Sequence, residues 1–216
     1  MLSIIIPVHN VEKYIGSLLS SILNAGFDEK LDEVIIVDDG STDQTAERIR
    51  VFGQNNKMFR YKLLTQKCKG VSNARNVGLK NATKDYVWFV DGDDLLPKRV
   101  LSFLHSIIAE KHPTAIGGGY LVVAEDAVEF SIDHEFRESG TEINVGGSAA
   151  TTIVNRNRLL ENQILFCEEL KYGEDYLWSF LVNLFAEEKI FVSEIYGYRK
   201  SLNSAMRTSN KEKVVR

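Results

Sequence analysis

Short runs of bulky apolar residues, each followed by a polar cluster and then by helical spacing, dictate how the first hundred residues can fold. The runs are residues 2–8 (LSIIIPV), 34–37 (VIIV) and 86–90 (YVWFV), with a weaker alternating run at 59–64. They have strand length and are rich in β-branched and aromatic side chains, the pattern of strands covered on both faces. After the first run Val11, Ile15, Leu18, Leu19 and Ile22 recur every three or four residues, and Asn10 is placed to cap that helix. Ala46 and Ile49, behind a cap from Thr42 or Asp43, mark a second helix, and Val71, Ala74 and Val77 a third. Pro97 suits the first turn of a fourth, whose buried face is Val100, Leu101, Leu104, Ile107 and Ile108. Strands alternating with helices build an α/β fold with a mainly parallel, twisted sheet and helices on both faces.

The second half is less regular. Residues 115–123 predict a strand interrupted by Gly117-Gly118-Gly119, for which a bulge or bend is the favoured explanation. Residues 149–160 predict a helix, against the low helix propensity of the β-branched run 151–154. Residues 174–185 predict a helix with Leu177, Phe180, Leu181 and Leu184 on one side, and 190–198 a last strand. The polar, basic segment after Ser201 is expected to fray or to join something else.

The length of 216 residues, with no linker-like tract, suits a single domain over 1–216. At 44% hydrophobic and 26% charged residues the chain is neither disordered nor fibrous. A net charge of -4 argues against a nucleic-acid partner held by bulk positive charge. Cys68 and Cys167 lack metal-type spacing and suit a reducing compartment. No run approaches the roughly 18 apolar residues of a membrane span, and no secretory leader opens the chain. The expectation is a soluble, cytoplasmic protein.

Ligands of such sheets bind beyond the carboxyl ends of the strands. Pro7-Val8-His9-Asn10, Asp38-Asp39-Gly40-Ser41 and Asp91-Gly92-Asp93-Asp94 all fall there. The last cluster crowds carboxylates that repel unless a cation neutralises them, and oxygen ligands suit Mg²⁺ or Mn²⁺, which also bind phosphates; an acidic turn is the alternative. A carboxylate in the Asp38-Asp39 loop could accept the N–H of a pyrimidine base, while Thr42 and Asp43 read as a turn and a helix cap. An EF-hand fails, with Gln44 and Arg50 where Gly and Glu are required. The segment 70–78 opens a helix with Gly70, Ser72 and Arg75, which either face a phosphate or base or pair with the acidic loops. Glu174 and Asp175 in a first helical turn serve either the helix dipole or as a base separate from metal ligands. His9, His105, His112 and His134 show no ligand spacing, and no Gly-x-Ser-x-Gly elbow is present.

In this order the Pro7–Asn10, 37–43, 70–78, 91–94 and 173–176 segments resemble the family 2 inverting glycosyltransferases of GT-A fold, over about residues 2–199. The resemblance implies a donor-binding half over about 1–100 and an acceptor-binding half over about 101–216. It implies transfer of a sugar from a nucleotide-sugar, most often UDP-linked, to a glycan or lipid-linked acceptor with inversion. It places Pro7, His9 and Asp39 at base and ribose, Arg75 near the nucleotide, and Asp91 and Asp93 at an Mn²⁺ or Mg²⁺ ion, Asp93 in direct contact. Asp175 matches the family's catalytic base, with Glu174 beside it. Work in the cytoplasm, with peripheral contact to the inner membrane face through a C-terminal extension, fits that resemblance. The chain departs from it where Lys200-Ser201-Leu202-Asn203-Ser204 replaces a late His, and where Ala150-Thr151-Thr152 replaces a Trp-x-Lys segment. Competing readings are a metal-dependent nucleotidyltransferase and a non-catalytic nucleotide-sugar-binding subunit of a polysaccharide-synthesis complex. A dinucleotide oxidoreductase is disfavoured because no G-x-G-x-x-G follows the first strand.

Overall fold

The computed structural model describes residues 1–131, 136–140 and 148–200; His134 and the basic segment from Ser201 onward lie outside them. The elements are β1 (Leu2–Val8), α1 (Ile15–Asn24), β2 (Glu33–Asp38), α2 (Thr45–Asn55), β3 (Tyr61–Thr65), α3 (Val71–Asn81), β4 (Tyr86–Phe89), α4 (Val100–Lys111) and β5 (Ala115–Val123). There follow β6 (Glu138–Gly140), β7 (Thr152–Asn155), α5 (Arg156–Glu161), α6 (Glu174–Phe185) and β8 (Lys189–Arg199). They form one sheet in the order β3-β2-β1-β4-β7-β5-β8-β6. β1 is parallel to β2 and β4, β2 to β3, and β5 to β8. Because β7 is antiparallel to both β4 and β5, those two share a direction, and only β6 and β7 run against the rest.

Side-chain alternation along β1 splits the core in two. Ile4 and Ile6 pack with Leu18, Leu19 and Ile22 of α1, Ile49 of α2 and Leu101 and Leu104 of α4. Ile5 faces the other way, with Ala74 and Leu79 of α3, Leu159 of α5 and Trp178 and Val182 of α6. Helices therefore cover both faces, and the expected buried face of α4 is the one observed.

Several local expectations are corrected. Residues 149–160 are not one helix: a 3-10 turn (Ala149–Thr151) leads into β7 and then the short α5. The β-branched run takes the extended form because it can pair with both β4 and β5. Asn10 does not cap α1, which begins at Ile15; it adopts φ 55° and its Oδ1 accepts the Thr42 N–H at 2.8 Å. Pro97 precedes rather than opens α4, because Arg99 takes a left-handed conformation before Val100. On α6 the buried residues are Trp178, Ser179 and Val182, while Phe180 and Leu184 are each 64% exposed. The Gly117–Gly119 segment is a bulge: the β5–β8 register shifts on both sides of Gly119.

Candidate active site

The carboxyl ends of β1, β2 and β4 bring the first three polar clusters together. His9 shares a hydrogen bond between Nδ1 and the Asp39 carbonyl at 2.9 Å, and the Asp39 N–H donates to the Val8 carbonyl. Pro7 is buried and His9 exposed beside it. The Asp39 carboxylate accepts the Gln66 side-chain amide and the Lys69 N–H at 2.7 Å each, and the Gly70 N–H at 2.8 Å. It thereby fixes the loop between β3 and α3, and about one lone-pair direction of its four stays open for a ligand. The helix cap expected of Thr42 or Asp43 is not formed: Gln44 precedes α2 and makes no side-chain cap bond, while Asp43 closes a turn by accepting the Thr45 N–H at 2.9 Å.

After β4 the chain turns through Asp91, Gly92, Asp93 and Asp94. A Cβ on Gly92 would lie 2.9 Å from Val8 Cγ1 and 3.3 Å from the Pro7 carbonyl, so a larger residue would push this turn away from the end of β1 or force its neighbours to shift. The three carboxylates differ in environment. Asp94 is 2% exposed, and burial, with Asp91 and Asp93 adding to it, raises its pKa above the carboxylate range. Asp93 is pushed up to about 6 by burial first and by Asp91 second. At Asp93, burial and the Asp91 charge disfavour the ionised carboxylate, and a cation beside it would restore that form. Among the described residues no three His, Cys, Asp or Glu side chains converge into a complete metal cage. Asp93 and Asp91 could hold a divalent ion whose remaining ligands are phosphate oxygens and water, the usual arrangement for Mg²⁺.

Arg75, on α3, joins this turn to α6. Its terminal nitrogens donate to Asp91 Oδ1 at 2.9 Å and to Glu174 Oε1 at 3.1 Å, so the expected alternative of pairing with nearby acids is realised. Asp175 accepts the Tyr176 N–H, and its pKa is raised by burial and by Glu174. The first turn of α6 thus holds one carboxylate engaged by Arg75 and a second, partly exposed, beside it.

Two site residues on β8 escaped the sequence reading. The Tyr196 hydroxyl donates to Asp94 Oδ2 at 2.7 Å and accepts the Asp91 N–H at 3.0 Å. Arg199, 2% exposed, donates from Nε to the Asp93 carbonyl and from its backbone N–H to Asp94 Oδ1. The available signal was an Arg closing the largely apolar stretch 195–198 at the end of a strand, which implies a buried cation needing partners. A cleft of about 900 Å³, with Arg199 in its lining, opens between α1 and residues 125–129.

A mostly parallel sheet, covered by helices on both faces, with an acidic turn beyond β4 and a polar rim at β1 and β2 defines an α/β protein whose candidate site lies at the carboxyl ends of its strands. The chain belongs to glycosyl transferase family 2, whose model matches residues 3–167. It is 34% identical over 183 residues to the poly(ribitol-phosphate) beta-N-acetylglucosaminyltransferase TarS of Staphylococcus aureus (strain MW2), a match covering 82% of this chain. The chain spans only 31% of the length of that relative. The crystal structure of S. aureus TarS 1–349 in complex with UDP-GlcNAc superposes with a TM-score of 0.81 at 32% identity, covering 96% of this chain and 60% of that one. The mannosyltransferase PcManGT from Pyrobaculum calidifontis, in complex with GDP-Man and Mn²⁺, shares the fold, with a TM-score of 0.66 at 20% identity over 90% of this chain and 56% of that one.

Proposed function

We propose that this chain carries the catalytic centre of an inverting glycosyltransferase that moves a sugar from a UDP-linked donor to a hydroxyl of a glycan, lipid-linked or polymeric acceptor. The observation that carries this reading is the Asp91–Arg75–Glu174 bridge, which ties the acidic turn to the first turn of α6 and leaves Asp175 next to it. TarS, whose solved complex holds UDP-GlcNAc, supports the choice of a UDP-sugar.

In this reading Pro7, His9 and Asp39 receive the base and ribose, with Asp39 using its remaining acceptor direction. Asp93, with Asp91, holds Mn²⁺ or Mg²⁺, which when bound neutralises charge on the diphosphate. Arg75 adds positive potential beside Asp91. Asp175 takes the proton of the acceptor hydroxyl as that oxygen attacks the anomeric carbon from the face opposite the leaving diphosphate. Its raised pKa strengthens it as a base. No helix among the described residues is long and apolar enough to cross a membrane. Action in the cytoplasm, against acceptors carried at the inner membrane face, is the setting this chemistry implies.

The test is incubation with a panel of UDP- and GDP-sugars and glycan, lipid-linked and polyol-phosphate acceptors, with products read by mass spectrometry. Transfer from UDP-sugars in Mn²⁺ that EDTA abolishes is the expected result. Release of pyrophosphate from a nucleoside triphosphate, with no sugar transfer, would instead identify a nucleotidyltransferase.

A further inference from the structure

The three carboxylates of the acidic turn are not equivalent, and β8 makes them so. Resting on the glycosyltransferase reading, we propose that Tyr196, Asp94 and Arg199 are positioning residues that lock this turn so that Asp93, with Asp91, faces the metal and diphosphate while Asp94 does not.

Asp94 has both carboxylate oxygens occupied, Oδ2 by the Tyr196 hydroxyl at 2.7 Å and Oδ1 by the Arg199 N–H at 2.7 Å. The same Tyr196 hydroxyl accepts the Asp91 N–H at 3.0 Å, so a single phenol oxygen spans the turn from its first residue to its last. Arg199 Nε donates to the Asp93 carbonyl at 2.6 Å, which fixes the Asp93 backbone and leaves its carboxylate out of these bonds. Leu95 pairs with Gly197 in both directions, Leu95 N–H to the Gly197 carbonyl at 3.1 Å and Gly197 N–H to the Leu95 carbonyl at 2.9 Å. β8 therefore holds the turn by backbone pairing as well as by side chains. On the opposite side Gly92 rests against Val8 and the Pro7 carbonyl. A turn gripped between β1 and β8 presents its free carboxylate in one geometry, and groups that orient metal ligands in this way typically govern affinity for the ion.

Arg199 extends the lock. Its Nη1 donates to the Glu125 and Ala127 carbonyls at 2.6 and 2.7 Å, and its Nη2 to Ser17 Oγ at 3.1 Å. The segment after β5 and the first turn of α1 are thus fastened to the same point as the acidic turn.

Calorimetry of UDP binding in Mn²⁺ and in EDTA, with melting temperatures alongside, tests this on wild type, Tyr196→Phe and Asp94→Asn. Tyr86→Phe is the control: its buried hydroxyl donates to the Pro113 carbonyl, away from the turn. Tyr196→Phe and Asp94→Asn are expected to weaken Mn²⁺-supported UDP binding by about ten- to a hundredfold, with affinity in EDTA within about twofold of wild type. Tyr86→Phe is expected to lower only the melting temperature. Should Tyr196→Phe not fold, Asp94→Asn, whose one amide oxygen can serve either the Tyr196 hydroxyl or the Arg199 N–H but not both, gives the same readout. Mn²⁺-supported affinity within about twofold of wild type in either folded variant overturns the positioning role. A wild type that binds no UDP at all overturns the glycosyltransferase reading and this proposal with it.

Discussion

Arg75 meets Glu174, 99 residues further along the chain, at 3.1 Å, while its second terminal nitrogen holds Asp91 at 2.9 Å. The guanidinium is buried and lies 5.1 Å from the centre of the Phe166 ring. Burial alone would lower its pKa; Asp91 and Glu174 more than offset that and raise it above the usual arginine value. A permanently charged cation thus fastens α3, the turn after β4 and α6 at one point. It also sorts two adjacent acids: Glu174 is committed to the ion pair and Asp175 is not.

Removing that cation should cost more than a surface ion pair would. Arg75→Met leaves Glu174 and Asp91 facing each other without compensation, and breaking one partner of a buried pair costs about 3–5 kcal/mol. Urea denaturation at neutral pH measures it. Adding Glu174→Gln to Arg75→Met should recover part of the loss, whereas strict additivity of the two changes would show that the residues are not coupled.

Asp93 supplies a pH-dependent prediction for the metal-free protein. Its folded pKa of about 6 lies above its ordinary value of 3.8, so the fold favours the protonated acid. The stability associated with that proton is fully present below the unfolded pKa and is lost as pH rises through about 6. Asp93→Asn should therefore stabilise the apo protein at pH 7.5 by about 1–3 kcal/mol, and the gain should vanish near pH 4. Thermal melts in EDTA at the two pH values read the difference. A gain that is equal at both, or a loss at pH 7.5, would contradict the assignment of strained charge to Asp93.

Much of this architecture was legible in the sequence because its signals are local. β1, β2 and β4 are runs of bulky apolar residues long enough for a strand and no longer, and the acidic turn follows β4 directly. β7 was illegible because Thr151 to Val154 carries no periodicity, and only the neighbouring strands make it extended. The orientation of α6 was illegible for a different reason. Apolar side chains surround the helix, from Tyr176 and Leu177 to Leu184 and Phe185, so spacing names two candidate faces. Stacking of Trp178 on Phe166 and its edge contact with Phe89 decide between them. Arg199 was hidden because its partners are backbone carbonyls and Ser17, separated from it by 72 to 182 residues.

That orientation of α6 makes a direct stability prediction. Trp178→Ala removes a fully buried ring from its aromatic cluster and should cost about 3–5 kcal/mol. Phe180→Ala, at a position 64% exposed, should change stability by no more than about 0.5 kcal/mol. Chemical denaturation of both variants gives the ranking, and the reverse order would mean that α6 is rotated to bury Phe180 and Leu184.

Asp175 is the group on which the proposed chemistry turns. Asp175→Asn keeps the side-chain size and removes the proton acceptor, so donor binding should hold and the melting temperature should not fall, while transfer falls by about 10²–10⁴-fold. An acid serving only the helix dipole would instead cost under about 1 kcal/mol of stability and leave turnover nearly intact. The pH profile gives an independent reading. Burial and Glu174 raise the pKa of Asp175, so the active, ionised base is lost as pH falls through a value above the ordinary 3.8. Glu174→Gln removes the neighbouring negative charge and frees Arg75 to interact with Asp175, and both effects lower that pKa. The acid limb of kcat/KM should therefore move to lower pH in Glu174→Gln, even if its maximum rate drops. An unmoved limb, together with transfer by Asp175→Asn within about tenfold of wild type, would shift the search for the base to Glu174 itself.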